Sequence, residues 1–209
     1  MTTSQFYDVK IKTLGCQEYS QIWQAMQDFT QSRTVDTSDE LWIVEHPPIF
    51  TLGLNGKILY IRDTRGIPVV HCDRGGQVTY HGPGQIILYT LLDLKRRELG
   101  IKVLVNMLEQ SVVSLLQSVD LYGELKVNAP GVYVDNKKIA SLGLRVRKGY
   151  TYHGLSMNVT MDLSPFSYID PCGYPGLEVT DLKNLGVTLN SEEVGLELAK
   201  NLAKQLETR

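Results

Sequence analysis

Short apolar runs separated by glycine-rich turns occupy the middle of this chain, and helical patterns flank them on both sides. Apolar residues at helical spacing predict helices over residues 17–32 and 103–119. A third helix is predicted over residues 190–207, where Asn190 as N-cap and Glu193 form a capping box. Strands are predicted over residues 41–45, 69–72, 77–80 and 86–92. Helices on both sides of a run of strands indicate an α/β (α+β) fold with a mixed β-sheet flanked by helices.

A β-hairpin is predicted over residues 131–144. Its turn lies at Asp135 and Asn136, residue types that tolerate positive φ. Side chains alternate between the two faces of a strand, so Lys138 shares the apolar face of the return strand while Lys137 faces away. The apolar residues on that face are Ala140, Leu142 and Leu144. An amine in such surroundings can take a proton from a thiol, although two solvated lysines are the common alternative.

Length and composition limit the classes to which the chain can belong. With 209 residues and 43% hydrophobic content, the chain suits one domain, expected over residues 1–209. The 21 basic and 23 acidic residues give a net charge of −2, so neither nucleic acid nor a membrane surface is expected as a partner. Residues 1–7 are polar and predict no signal peptide, and residues 86–94 are too short to span a membrane. No heptad pattern calls for assembly, so we expect a monomer.

The chain has three cysteines, Cys16, Cys72 and Cys172, with no C-x-x-C pair. This usage fits a reducing cytoplasm better than a disulfide framework. Two prolines and two glycines lie within four residues of Cys172; they exclude a helix or a central strand and place it on a rigid loop. A buried structural cysteine is expected within an apolar run, which Cys172 lacks, but position alone still favours a non-catalytic thiol over a nucleophile. Cys16 and Cys72 are expected to be idle.

The segment R-G-G-Q-V-T-Y-H-G-P-G-Q at residues 74–85 is the densest in glycine and polar side chains. Glycines allow backbone amides to converge on a ligand oxygen, and the segment matches no phosphate-binding loop. A plain turn between strands remains the alternative. His81 in this segment could be an acid–base group or could hold the loop by a hydrogen bond. His153 alternates with Leu155 on an apolar strand face, which favours a structural role.

Four blocks of sequence together resemble the lipoyl(octanoyl) transferases, the octanoyl-[acyl carrier protein]:protein N-octanoyltransferase family. The blocks are the segment at residues 74–85, K-I-A-S-L-G at 138–143, H-G-L-S-M-N at 153–158 and P-C-G at 171–173. The resemblance covers residues 40–185 or so. It implies the fold of the biotin and lipoate protein ligases and one catalytic domain.

The resemblance also implies roles for particular residues. Cys172 corresponds to the acyl-thioester nucleophile, and Lys138 to the residue that favours its thiolate and shuttles protons. The implied substrate-binding residues are Arg74, Gly75, Gly76, Gln77, Val78, Thr79, Tyr80, His81, Ser141, Leu142, Gly143, His153, Gly154, Leu155 and Ser156.

An enzyme of this family takes an octanoyl group from octanoyl-acyl carrier protein. It passes the group to a lysine on the lipoyl domains of 2-oxoacid dehydrogenase complexes or on the glycine-cleavage carrier protein. No cofactor and no metal are implied. The first alternative is an ATP-dependent lipoate or biotin ligase, which needs no nucleophilic cysteine. The second is a non-catalytic module that binds acylated carrier protein and has no use for both Cys172 and Lys138.

Overall fold

A computed structural model describes residues 9–207 of the chain. The helices are α1 (Tyr19–Ser32), α2 (Ile101–Ser118) and α3 (Ser191–Glu207), each within two residues of its predicted start. The capping box of α3 is confirmed: the Glu193 amide donates to Asn190 Oδ1 and the Asn190 amide to Glu193 Oε2, both at 2.9 Å. Among residues 9–207, no helix combines the length and hydropathy needed to cross a bilayer. Residues 1–7, on which the signal-peptide prediction depends, lie outside the described part.

The strands of the described part form two sheets. They are β1 (Val9–Cys16), β2 (Asp39–Glu45), β3 (Ile49–Leu52), β4 (Val69–His71), β5 (Val78–His81), β6 (Gln85–Leu91), β7 (Glu124–Leu125), β8 (Val132–Val134), β9 (Lys137–Arg147) and β10 (Tyr150–Asn158). The larger sheet has the order β1-β2-β6-β10-β9-β8-β7, in which β1 and β2 are parallel and the other neighbours antiparallel. The smaller sheet has the order β4-β3-β5. The predicted mixed sheet is confirmed, and the smaller sheet is an addition that the sequence did not predict.

Helices cover both faces of the larger sheet. In β2, Leu41 and Ile43 pack toward α2 and α3, whereas Trp42 and Val44 pack toward α1. A strand covered on both faces needs apolar residues at every position, which explains the unbroken apolar runs in β2 and β6. The two layers of core fix the sheet as a rigid platform for the residues at its edges.

The predicted hairpin is formed by β8 and β9. Asp135 and Asn136 at its turn have φ angles of 48° and 65°, as their residue types allow. Lys138 is buried, while the neighbouring Lys137 is exposed and pairs with Glu178. Both orientations were predicted. The sequence did not predict the bulge at Ile139, which leaves Tyr133 opposite Lys138.

His153 interrupts the alternation of β10. Its φ is 61°, in the left-handed region that non-glycine residues rarely adopt. Leu155 and Met157 face the core beneath α2 and α3 as predicted, but the His153 ring contacts Asp73 instead. The prediction that His153 shares the face of Leu155 is therefore wrong, because a positive φ turns the side chain out of the alternating pattern.

Candidate active site

A cavity of about 490 Å³ lies where the loop after β4 meets β9, β10 and the Cys172 loop. The predicted substrate-binding residues line it, with the exception of Tyr80. Those that do so are Arg74, Gly75, Gly76, Gln77, Val78, Thr79, His81, Ser141, Leu142, Gly143, His153, Gly154, Leu155 and Ser156. Cys172 and Lys138 line it as well. Residues from four separate blocks of sequence thus meet around one space.

Tyr80 corrects the prediction for the glycine-rich segment. It lies in β5 between Thr79 and His81, and successive strand residues point to opposite faces. The Tyr80 ring packs 5.5 Å from the Phe50 ring and 5.6 Å from the Phe166 ring, centroid to centroid. Tyr80 therefore belongs to the core behind the smaller sheet and not to the cavity wall.

Cys172 and Lys138 contact each other at the edge of the cavity. The Lys138 amine, Nζ, lies 3.3 Å from the Cys172 sulfur, within the separation of roughly 3–4 Å that proton transfer between them requires. The Lys138 side chain is buried, and Cys172 is partly exposed. An ammonium at this distance stabilises a thiolate by Coulomb attraction, and a thiolate is the nucleophilic form of cysteine.

Backbone hydrogen bonds hold this pair together although 34 positions separate the two residues. Cys172 occupies a short 3₁₀ turn, Pro171–Gly173, with a φ of 57°. The Lys138 amide donates to the Glu178 carbonyl at 2.9 Å, and the Thr180 amide donates to the Lys138 carbonyl at 3.0 Å. These bonds hold the segment that follows Cys172 against β9, the strand that contains Lys138, and so position the sulfur next to the amine.

Arg74 acts inside the glycine-rich loop. Its guanidinium donates to the Thr51 carbonyl at 2.7 Å, the Gln77 carbonyl at 2.8 Å and the Gly75 carbonyl at 2.9 Å. The Gly75 amide donates to the Leu144 carbonyl at 2.9 Å. This amide is therefore already bonded and does not point at a substrate oxygen, whereas convergence of the loop's other amides stays a prediction.

Asp73, which the sequence interpretation did not single out, joins the loop to β10 and α1. Its carboxylate accepts hydrogen bonds from Trp23 Nε1 at 2.9 Å, from His153 Nε2 at 3.1 Å and from the Tyr152 hydroxyl. Burial raises the Asp73 pKa, but these donors outweigh burial and lower the pKa below its usual range. Burial also lowers the His153 pKa, although the bond to Asp73 opposes this, and the lower pKa favours a neutral imidazole whose Nε2 donates to the ionised carboxylate at neutral pH.

Comparison with known proteins assigns the family. A family model described as the lipoyl protein ligase A/B catalytic domain matches residues 18–203. The chain belongs to this family. The octanoyltransferase of Nitrosococcus oceani is 62% identical over 198 residues, which are 95% of this chain and 88% of that protein. The octanoyltransferase of Nitrosomonas eutropha is 51% identical over 207 residues, 99% of this chain and 92% of that protein.

Solved structures of lipoate and biotin protein ligases share the fold. A putative lipoate protein ligase from T. acidophilum superposes with a TM-score of 0.78 at 17% identity, covering 95% of this chain and 85% of that one. The biotin protein ligase from Aquifex aeolicus superposes with a TM-score of 0.56 at 16% identity, covering 97% of this chain and 70% of that one. The predicted biotin and lipoate ligase fold is confirmed.

The wall of the cavity contains two tyrosine side chains that the sequence interpretation missed. Tyr19 and Tyr89 line it beside His81. Tyr19 and His81 stack with ring centroids 6.0 Å apart, and the Tyr89 hydroxyl lies 2.8 Å from His46 Nε2. Tyr89 lies within a continuous apolar run, so the sequence pattern suggested only a core residue. Nothing in the spacing of Tyr19 marks it as a cavity residue.

His81 is uncharged at neutral pH. Burial lowers its pKa to about 3, and the neighbouring His46 and Arg74 add to this effect. His81 Nδ1 lies 2.7 Å from Gln85 Oε1, a hydrogen bond that only partly offsets burial. Both interpretations of this histidine stay compatible with its position: it is tied into the loop and it also faces the cavity.

Proposed function

We propose that this chain transfers an octanoyl group from octanoyl-acyl carrier protein to a lysine of a lipoyl domain, and that one catalytic domain carries out both steps. The observation that carries the proposal is the 3.3 Å contact between the Lys138 amine and the Cys172 sulfur at the cavity edge. Relatives named octanoyltransferase, 51% to 62% identical over nearly the whole chain, support it. The acceptors are lipoyl domains of 2-oxoacid dehydrogenase complexes and the glycine-cleavage carrier protein.

In the first step, the Cys172 thiolate attacks the carbonyl carbon of the carrier's thioester. The tetrahedral intermediate collapses with cleavage of the bond to the carrier sulfur. The Lys138 ammonium gives a proton to that leaving thiol, which leaves an octanoyl thioester on Cys172. The new thioester is close in energy to the old one, so the step needs no other energy source. Covalent catalysis of this kind divides one transfer between two bulky proteins into two easier steps.

In the second step, the amine of the acceptor lysine attacks the acyl-enzyme. Lys138, now neutral, takes the proton that the attacking nitrogen loses. Cys172 leaves as a thiolate, and the product is an amide. The free enzyme is restored with an ammonium at Lys138 and a thiolate at Cys172, ready for the next donor. We place this reaction in the cytoplasm, because three cysteines without a disulfide among the described residues suit a reducing compartment.

Intact-protein mass after mixing the chain with octanoyl-acyl carrier protein tests the proposal. We expect a gain of one octanoyl group without ATP, and its loss when a lipoyl domain is added. The Cys172→Ser variant should stay folded and gain nothing, because a serine hydroxyl beside a lysine is a far poorer nucleophile. The matched control Cys16→Ser changes an exposed thiol and should gain the group normally.

The alternatives predict different masses. A non-catalytic module would bind the carrier and show no adduct in the wild-type protein. An ATP-dependent ligase would modify the lipoyl domain only with ATP and free octanoate. Either result would contradict the proposed transfer through Cys172. A full adduct on Cys172→Ser would move the nucleophile elsewhere in the chain.

A further inference from the structure

The Lys138 amine lies beside an aromatic ring. Among residues 9–207, no carboxylate lies within ion-pair distance of this amine. The amine instead lies 5.4 Å from the centroid of the Tyr133 ring and 3.3 Å from the Cys172 sulfur. Tyr133 is directly opposite Lys138 on the neighbouring strand and is 2% exposed, and its hydroxyl donates to the Ala129 carbonyl at 3.1 Å, which fixes the ring.

Gly131, which directly precedes β8, leaves space for the Lys138 side chain. A β-carbon on Gly131 would lie 2.4 Å from Lys138 Cε, 3.1 Å from its Nζ and 2.6 Å from the Ala140 carbonyl oxygen. Carbon atoms in proteins do not approach so closely, so a side chain here would displace the lysine's last methylene and amine or the Ala140 carbonyl, and the φ of 133° adds backbone strain. The Gly131 amide donates to Glu109 Oε1 at 3.0 Å, which fixes the position of this gap relative to α2.

We propose that Gly131 and Tyr133 are positioning residues that seat the Lys138 amine against Cys172, Gly131 by leaving room for it and Tyr133 by offering its ring face. The inference rests on the proposed function, since it concerns how the thiol is activated. A ring face attracts an ammonium through its quadrupole but carries no net charge. A carboxylate in the same place would form an ion pair with the lysine and compete with the thiolate for it. Gly131 and Tyr133, which we call the lysine seat, therefore hold the ammonium without neutralising it, so its charge can stabilise the Cys172 thiolate.

Three other charged side chains lie near Gly131 and Tyr133, and none of them forms an ion pair with Lys138. Glu109 comes from α2 and accepts the Gly131 amide. Lys126, which precedes β8, lies 4.4 Å from the Tyr133 ring and donates to Asn136 Oδ1. Glu178 pairs with the exposed Lys137 at 3.6 Å. None of these groups contributes a negative charge to the Lys138 amine within ion-pair distance.

The rate at which iodoacetamide alkylates Cys172, followed by peptide mass spectrometry from pH 5 to 10 or so, measures the thiolate without any acyl substrate. A Cys16→Ser background removes the exposed thiol that would also react. Tyr133→Leu should move the pH midpoint of alkylation upward by about 0.5 unit, the shift that matches an ordinary cation–π contact. Tyr133→Phe keeps the ring but removes the hydroxyl, which also interacts with Lys138, and a midpoint near the wild-type value in this variant assigns the effect to the ring. Lys138→Met gives the midpoint of a thiol without its amine.

Gly131→Ala tests the space separately and should raise the midpoint toward that of Lys138→Met. Tyr122→Leu, a change at an exposed tyrosine, is the matched control and should leave the midpoint unchanged. A wild-type midpoint in folded Tyr133→Leu, or an equal rise in Tyr133→Phe, would overturn the role of the ring. A wild-type midpoint in Gly131→Ala would overturn the role of the gap. Thermal melts identify a variant that does not fold, in which case the other position decides.

The same experiment separates this inference from the proposed function. If wild-type protein forms no octanoyl adduct but its Cys172 midpoint rises in Tyr133→Leu, the transfer proposal is wrong and the seat is right. If the adduct forms, but Tyr133→Leu and Gly131→Ala both keep the wild-type midpoint and the wild-type rate of adduct formation, the transfer proposal is right and the positioning role is wrong.

Discussion

At the scale of single residues, the proposed chemistry depends on a lysine that can both give and take a proton. Arginine keeps the positive charge but does not deprotonate in proteins. We therefore expect Lys138→Arg to lower the rate of octanoyl transfer by roughly 100-fold or more, the range for loss of a general acid–base group, while the fold is retained. Transfer to a lipoyl domain, followed by mass, measures this. Lys137→Arg, the same change at the exposed neighbouring residue, should have no effect. Near wild-type transfer by Lys138→Arg would contradict the acid–base role.

Buried neutral histidines make the stability of the protein depend on pH. Burial lowers the His81 pKa to about 3 and the His46 pKa to about 4, so the unfolded chain binds protons near pH 6.5 that the folded chain does not. The free energy of unfolding should therefore be highest above pH 6.5. It should decrease as pH falls from 6.5 toward the folded-state pKa values of about 4 and about 3. From pH 6.5 to 5 each histidine should contribute a loss of about 2 kcal/mol.

Urea unfolding at pH 7 and pH 5 checks this expectation. His81→Asn should lose less stability between the two pH values than the wild-type protein, whatever its stability at pH 7. His71→Asn changes an exposed histidine and should retain the full wild-type dependence. An equal loss in His81→Asn and the wild-type protein would show that His81 does not resist protonation in the folded state.

At the scale of loops and strands, the glycine-rich segment should act through the shape of its backbone. Gly76 has a φ of 88° and lines the cavity. Gly76→Val places a β-branched side chain in a left-handed conformation, which destabilises the chain by roughly 1–2 kcal/mol, and adds bulk beside Arg74. We expect formation of the octanoyl adduct to collapse while the circular dichroism spectrum is unchanged.

Gly66 provides a control for backbone strain alone. Its φ is 81° and a β-carbon there would meet nothing within 4 Å. Gly66→Val should therefore lose a similar amount of stability and keep the wild-type rate of adduct formation. Equal rates in the two valine variants would mean that the segment at residues 74–85 is only a turn between strands.

Elements that depend on local chemistry were predictable, and those set by distant contacts were not. The turn at Asp135 and Asn136 follows from residue type alone, and so does the capping box of α3. The bulge at Ile139 and the positive φ of His153 leave no local signal, because partners on other strands impose them. Tyr80 was assigned to the cavity because it lies inside a block, although strand alternation already pointed it away.

At the scale of the whole molecule, the site is assembled from segments that meet only in the fold. The four blocks that the resemblance used are far apart in sequence, and their order could not give the distance from Lys138 to Cys172. That distance depends on two backbone hydrogen bonds between Lys138 and residues outside the blocks: the Lys138 amide donates to the Glu178 carbonyl, and the Thr180 amide donates to the Lys138 carbonyl. The blocks therefore identified the residues of the site, whereas the contacts between the blocks determine its geometry.

A second assembly of distant residues holds the frame of the molecule. Asp39 begins β2, is fully buried and pairs with Arg33 at the end of α1 and with Arg96 and Arg97 in the turn after β6. The Asp93 amide donates to the same carboxylate at 2.9 Å. Burial raises the Asp39 pKa, but the bond to Arg97 and the arginine charges outweigh burial and lower the pKa. One carboxylate thus compensates positive charges from two separate segments.

Removing that carboxylate should destabilise the whole chain. Asp39→Asn keeps the shape of the side chain but leaves the buried Arg33 guanidinium without its opposite charge, so we expect a loss of roughly 3–5 kcal/mol in urea unfolding. Asp63→Asn breaks an exposed pair with Arg65 at 3.2 Å and should lose at most about 1 kcal/mol.

Because the Asp39 pKa is lowered in the folded state, the stability that this carboxylate contributes is present at neutral pH and is lost as the pH falls below the ordinary pKa of aspartate. The difference between wild-type and Asp39→Asn stability should therefore be largest near pH 7 and shrink toward pH 3. A difference that stays constant over this range, or a loss below about 1 kcal/mol at pH 7, would mean that the three arginines do not depend on this carboxylate.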